Sequence, residues 1–122
     1  MAHTLLIVDD SKVSRMMIKN KVSQLQPGWT VLEAGTGDEA VAMVRATPPD
    51  FITMDVNMPG INGFEAVAQI RQFNSTSKIA MLTANIQESS RVKASDLNVT
   101  FVQKPATEPA IRQAIDYFLA AA

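Results

Sequence analysis

Five positions carry the side chains with which this chain could do chemistry: the adjacent acids Asp9 and Asp10, the acid Asp55, the hydroxyl of Thr83 and the amine of Lys104. Three carboxylates brought within a few ångströms repel one another, so either one takes up a proton or a cation sits among them. The donors are all oxygens, the chain has no cysteine, and its single histidine, His3, lies apart from them in sequence. A hard divalent ion therefore fits best, and Mg²⁺ is the usual one where a phosphoryl group is also held. Three acids and Lys104 sum to a formal charge of minus two, which one Mg²⁺ cancels. A structural calcium site is the alternative, but it would want about six to eight oxygens, and no EF-hand pattern is present. A carboxylate can also attack phosphorus to give an aspartyl phosphate. That transfer needs in-line positioning and stabilisation of the equatorial oxygens. Asp55 is the candidate nucleophile, Lys104 and Mg²⁺ the candidate cations, and Thr83 a candidate hydroxyl donor.

These residues act together only if the fold converges them, and the apolar pattern says how it would. Thr4 to Val8 is a continuous apolar run, as a strand reads when helices cover both faces of a parallel sheet. Ser11 can cap a following helix whose apolar stripe is Val13, Met17, Val22 and Leu25, with Lys12, Arg15, Lys19 and Lys21 as a solvated face. Pro27 and Gly28 stop it. Thr30 to Ala34 is a second strand, and Thr36 with Glu39 has the spacing of a capping box for a helix carrying Ala40, Val41 and Val44. Phe51 to Met54 is a third buried strand ending at Asp55, with Pro59, Gly60 and Gly63 closing it.

After that turn, Phe64, Val67, Ile70 and Phe73 recur at helical spacing, and Asn74 to Ser77 is a polar break. Ile79 to Leu82 predicts a fourth strand ending at Thr83. Gln87 to Asp96 predicts a weakly apolar helix, easily opened. Val99 to Val102 is a fifth strand, closed by Lys104 and Pro105, and Thr107 can cap a last helix with Ile111, Ile115, Phe118 and Leu119 on one stripe. Five strand–helix alternations predict an α/β fold, a doubly wound parallel sheet with right-handed crossovers. In such sheets the site lies at the carboxyl ends of the strands, and Asp9, Asp10, Asp55, Thr83 and Lys104 all fall there.

At 122 residues the chain fits one domain. The absence of cysteine is compatible with a reducing cytoplasm. A net charge of −1 with dispersed Lys and Arg points to no nucleic-acid or anionic-membrane surface. No stretch approaches the apolar length a bilayer requires. Plainer roles remain for single residues. Asp55 could open a turn, Asp9 and Asp10 could sit at a helix start, Phe101 could be plain core, and His3 could be solvated.

Taken together, the Asp9-Asp10 pair, Asp55 in Met-Asp-Val-Asn-Met-Pro-Gly-Ile-Asn-Gly, Thr83-Ala84 and Lys104-Pro105 resemble the receiver domain of two-component response regulators, over essentially the whole chain. The resemblance implies a five-stranded flavodoxin-like sheet in the order 2-1-3-4-5, with residues 1–122 forming a stand-alone receiver without an output domain. It implies that Asp55 accepts phosphate from a sensor histidine kinase or a histidine phosphotransfer protein. Asp10 would bind Mg²⁺ directly, Asp9 mostly through water, and Asn57 through its backbone carbonyl. Thr83 and Phe101 match the switch hydroxyl and switch aromatic, and Lys104 the phosphate-binding lysine. The Lys104-Pro105 bond is expected to be cis. A downstream protein would read the state on the face made by the fourth helix, fifth strand and fifth helix, the chain remaining a monomer or forming a phosphorylation-dependent dimer. Positions that tune dephosphorylation in the family are Asn57 and Asn85 here. An aspartate-nucleophile phosphatase would want a second acid where Asn57 stands, and a flavodoxin-type phosphate loop would not carry Asp9-Asp10. A receiver-shaped interaction module working without phosphate is the remaining alternative.

Overall fold

The computed structural model describes residues 3–84 and 98–120. Five parallel strands, β1 (Thr4–Val8), β2 (Thr30–Ala34), β3 (Phe51–Asp55), β4 (Lys78–Thr83) and β5 (Val99–Gln103), form one sheet in the order β2-β1-β3-β4-β5. The fold is the flavodoxin-like α/β arrangement that the sequence predicts. Four helices cover the sheet among the described residues: α1 (Lys12–Leu25), α2 (Gly37–Ala46), α3 (Gly63–Arg71) and a C-terminal helix (Glu108–Leu119). The predicted Gln87 to Asp96 helix and Asn85 lie outside the described residues.

Continuous apolar strands arise because successive side chains point to opposite faces and both faces are covered. Leu6, Val8, Ile52, Met54, Ile79 and Met81 pack on one side with Ala40, Val44, Val67 and Ile70 of α2 and α3. Leu5, Ile7, Phe51, Ala80, Leu82 and Val102 pack on the other with Ile18, Val22, Ile111 and Ile115 of α1 and the C-terminal helix. Every residue of β3 is buried. β3 is flanked by β1 and β4, with Leu5 opposite Phe51 on one side and Asp55 opposite Leu82 on the other. The sheet thus delivers Asp55 at its middle.

The caps match the predicted types. Ser11, Thr36 and Thr107 each accept a backbone N–H from the third residue on, satisfying donors that a helix start leaves open. Thr36 and Glu39 form only half a capping box, because the Glu39 carboxylate takes the Gly35 N–H at 2.8 Å instead. The complete box is Asn62 with Glu65 at the start of α3.

Five predicted apolar or solvated positions are placed differently. On α1 the buried residues are Ile18 and Val22, whereas Val13 and Met17 are 66% and 50% exposed. The shift follows from the helical turn: Ser14, Ile18, Val22 and Leu25 share one stripe, and Val13 and Met17 fall well round the helix from it. Phe73 and Leu119 are also exposed; the Arg45 guanidinium lies 4.2 Å over the Phe73 ring. His3 is not simply solvated. Its ring meets Trp29 edge-on at 5.6 Å and Phe51 at 4.9 Å, and its Nδ1 lies 3.8 Å from Asp50. That aromatic group sits at the amino end of the sheet.

Among the described residues, one buried side-chain polar atom has no partner. The Thr53 hydroxyl in β3 is enclosed without a hydrogen bond, an arrangement that costs about 1–3 kcal/mol. Thr53→Val keeps the shape and removes the stranded group. Urea unfolding of this variant is expected to show a gain of about 1 kcal/mol at unchanged slope; a loss of stability would mean the hydroxyl is satisfied after all.

Candidate functional site

Asp9 directly follows β1 and continues its ladder, donating its N–H to the Ala34 carbonyl at 3.1 Å. Its carboxylate is 1% exposed, so each oxygen needs a donor. Oδ1 accepts the Ser11 N–H at 2.9 Å; Oδ2 accepts the Ser14 hydroxyl at 2.6 Å and lies 3.4 Å from Lys104 Nζ. Asp9 therefore takes the helix-start role as well, since a carboxylate beside the first N–H groups of α1 suits the positive end of the helix. Arg15 grips the same residue from its backbone side. Its Nη1 donates to the Asp9 carbonyl at 2.6 Å while its Nε donates to Glu33 on β2 at 3.0 Å. Arg15 is thus engaged rather than part of a solvated face, and Lys19 adds a longer contact to Glu33 at 3.7 Å.

Asp55 ends β3 and is buried. Lys104 Nζ lies 3.2 Å from its Oδ1, and the Asn57 N–H donates to the same oxygen at 3.4 Å. The turn beyond it must pass close to the backbone. Gly60 has φ +76°, a left-handed conformation that favours glycine. A Cβ on Gly63 would lie 2.3 Å from the Asp55 carbonyl oxygen, and the Gly63 N–H donates to Val56 at 2.9 Å. Only glycine allows α3 to start this near the acid.

The ends of β4 and β5 complete the site. Thr83 closes β4, fully buried, and its carbonyl accepts the Lys104 N–H at 2.7 Å. The Lys104-Pro105 peptide is cis, as the sequence reading has it. Phe101, one strand turn earlier, is partly buried in the α2–α3 side of the core, with its ring centroid 6.1 Å from that of Phe64.

The structure thus brings Asp9, Asp10, Asp55 and Lys104 together. Oxygens of the three acids lie within 4.8 Å of one another. Asp10 is exposed, while Asp9 has both oxygens committed to donors. An all-oxygen set of this charge fits a hard divalent cation. Burial pushes the Asp55 carboxyl above its usual range, with the Asp9 charge adding to the rise and Lys104 opposing it. Burial pulls Lys104 down, but the Asp55 and Asp9 carboxylates outweigh it and hold the ammonium above the usual lysine value. Lys104 stays charged.

Ser14 and Arg15 are the two site residues that sequence reasoning missed. The signal lay in position: both fall in the first turn of the helix that the acid pair introduces, within reach of the strand end.

A doubly wound sheet with three acids and a lysine converging from the ends of separate strands defines a class, and comparison with known proteins agrees. The chain belongs to the response regulator receiver domain family, which it matches over residues 5–116. It is a receiver domain of the CheY type, a module of two-component signalling. The chemotaxis protein CheY of Bacillus subtilis is 36% identical over 95% of this chain and 97% of its own. The LuxN sensor kinase/phosphatase of Vibrio campbellii is 34% identical over 95% of this chain, which spans 13% of that protein. The structure of a putative response regulator from Chloroflexus aurantiacus superposes with a TM-score of 0.84 at 29% identity, covering 99% of this chain and 100% of its own.

The raised Asp55 pKa sets a sign for stability. The native state keeps this proton to a higher pH than the unfolded chain, so the Asp55 contribution falls as pH rises from the ordinary carboxyl value through the raised one. It is unfavourable at neutral pH. In EDTA at pH 7, Asp55→Asn is therefore expected to melt above wild type, by roughly 4 °C for each kcal/mol relieved. Saturating Mg²⁺ should raise the wild-type Tm and leave the variant nearly unchanged; an Asp55→Asn protein that melts lower in EDTA would contradict the repulsion.

Proposed function

We propose that this chain is a cytoplasmic response regulator receiver that accepts a phosphoryl group on Asp55 from a phosphohistidine of a sensor kinase or phosphotransfer protein. The observation that carries the reading is the position of Lys104 Nζ, 3.2 Å from Asp55 Oδ1 and 3.4 Å from Asp9 Oδ2, beside three clustered acids. A buried nucleophile, a fixed cation and a place for a second cation are what phosphoryl transfer to a carboxylate needs.

An Asp55 oxygen attacks phosphorus in line; the new P–O bond forms as the P–N bond to the donor histidine breaks, and the histidine nitrogen leaves with the electron pair. Lys104 follows the developing charge onto the phosphoryl oxygens, and the Thr83 hydroxyl donates to one of them. Asp10, Asp55 and the Asn57 carbonyl would hold Mg²⁺, with Asp9 behind them, and the bound ion supplies positive charge against the equatorial oxygens. The commitments of Asp9 to Ser11, Ser14 and Lys104 support its outer place. The same groups serve hydrolysis, so the domain catalyses its own modification and its reversal and acts as a signalling protein.

The phosphoryl group adds about one net negative charge at the site. Thr83 and Phe101 are proposed to convert it into a population shift on the face that carries β5 and the C-terminal helix, where a downstream protein docks as partner of a monomer or of a phosphorylation-dependent dimer. The Phe64–Phe101 contact supports this, because Phe64 follows the glycine seated on the Asp55 carbonyl.

Incubation with Mg²⁺ and acetyl phosphate followed by intact-mass measurement tests the reading. Wild type should gain one phosphoryl group and Asp55→Asn none. Modification of both proteins would contradict Asp55 as the acceptor, and modification of neither would favour the phosphate-independent interaction module instead.

A further inference from the structure

Lys104 is shared between two buried carboxylates, one of which also accepts a hydroxyl on α1. Asp9 Oδ2 accepts Ser14 Oγ at 2.6 Å and Lys104 Nζ at 3.4 Å, while the same ammonium lies 3.2 Å from Asp55 Oδ1. Buried oxygens of this kind are rarely left without a donor. With the hydroxyl in place, the ammonium can move away from Asp9 without stranding that oxygen.

Ser14 is well placed to do this. It is the third residue of α1, and its N–H is fixed on the Ser11 side chain at 3.2 Å. A side chain at this helical position often reaches back to the capping residue's N–H. Here the Ser11 N–H is taken by Asp9 Oδ1 at 2.9 Å, so the Ser14 hydroxyl is left for Oδ2. The two oxygens of Asp9 are thereby held by one helix turn, independently of Lys104.

We propose that Ser14 is a positioning residue of the receiver site: its hydroxyl occupies Asp9 Oδ2 and so leaves the Lys104 ammonium available to the group on Asp55. The geometry stands alone, and the catalytic consequence rests on the phosphoacceptor reading above. Without the hydroxyl, Lys104 is the donor that remains for Oδ2, and the ammonium is drawn toward Asp9.

Ser14→Val and Ser14→Thr compare nearly the same volume without and with the hydroxyl, and Ser14→Ala checks the result in a smaller side chain. The side-chain ammonium resonance of Lys104 is followed by NMR in the unmodified protein, with and without Mg²⁺, and the rate of modification by acetyl phosphate is measured at saturating Mg²⁺. Ser14→Val and Ser14→Ala are expected to shift the Lys104 resonance and slow modification roughly tenfold, the low end of what one hydrogen bond to a charged group carries. Ser14→Thr should restore both. Equal behaviour of the Val and Thr variants, or a shifted resonance with an unchanged rate, overturns the proposal. If wild type is not modified at all, the phosphoacceptor reading fails, and the resonance comparison alone then decides the clamp: a Val–Thr difference supports it and none refutes it.

Discussion

The structure depends on an electrostatic standoff in a confined place. Asp9 and Asp55 are buried, Asp10 stands beside them in the open, and one ammonium reaches the two buried acids from the end of the farthest strand. Like charges at this spacing destabilise the ground state unless a cation joins them. The fold imposes the cluster because parallel strands all end on the same edge. It tolerates the cluster because Ser11, Ser14, Asn57 and Lys104 supply donors to the carboxylates. The repulsion that weakens the fold is the same property that makes the site receptive to a divalent ion and to chemistry at one of its acids.

Everything around the cluster holds it at short range. Arg15 ties the last carbonyl of the β1 edge to Glu33 on β2, joining two neighbouring strands at the point where Asp9 leaves the sheet. Gly63 lets α3 begin against the Asp55 backbone, and the Asn62–Glu65 box fixes that start. Lys104 hangs from the Thr83 carbonyl, which ties the ends of β4 and β5 together. Phe64, next to the glycine seated on Asp55, meets Phe101 of β5 by a ring contact.

Much of this was legible in the sequence because strand ends obey a simple rule. Apolar runs such as Thr4–Val8 and Phe51–Asp55 stop at their first charged residue, and a parallel sheet places those residues on one edge. The capping residues Ser11, Thr36 and Thr107 were legible for the same reason, since an oxygen at a helix start has one dominant use. Periodicity misled on α1, where apolar residues were grouped that the helix turns to different sides. Val13 and Met17 lie well round the helix from Ile18 and Val22 and face outward. Charge alone also says little about engagement, as Arg15 shows by holding a backbone carbonyl. Ser14 was invisible because a serine in a first helical turn has many roles, and only the three-dimensional approach of Asp9 selects one.

The central claim is that carboxylates from the ends of β1 and β3 converge on one divalent cation. Titration of the isotopically labelled protein with Mn²⁺, which shares the oxygen preference of Mg²⁺ and broadens nearby amide signals, tests it most directly. Saturable broadening centred on residues 9, 10 and 55–57, displaced by Mg²⁺ and abolished in Asp55→Asn, is the predicted result. Broadening centred elsewhere, or unaffected by Mg²⁺ and by the substitution, would contradict the account.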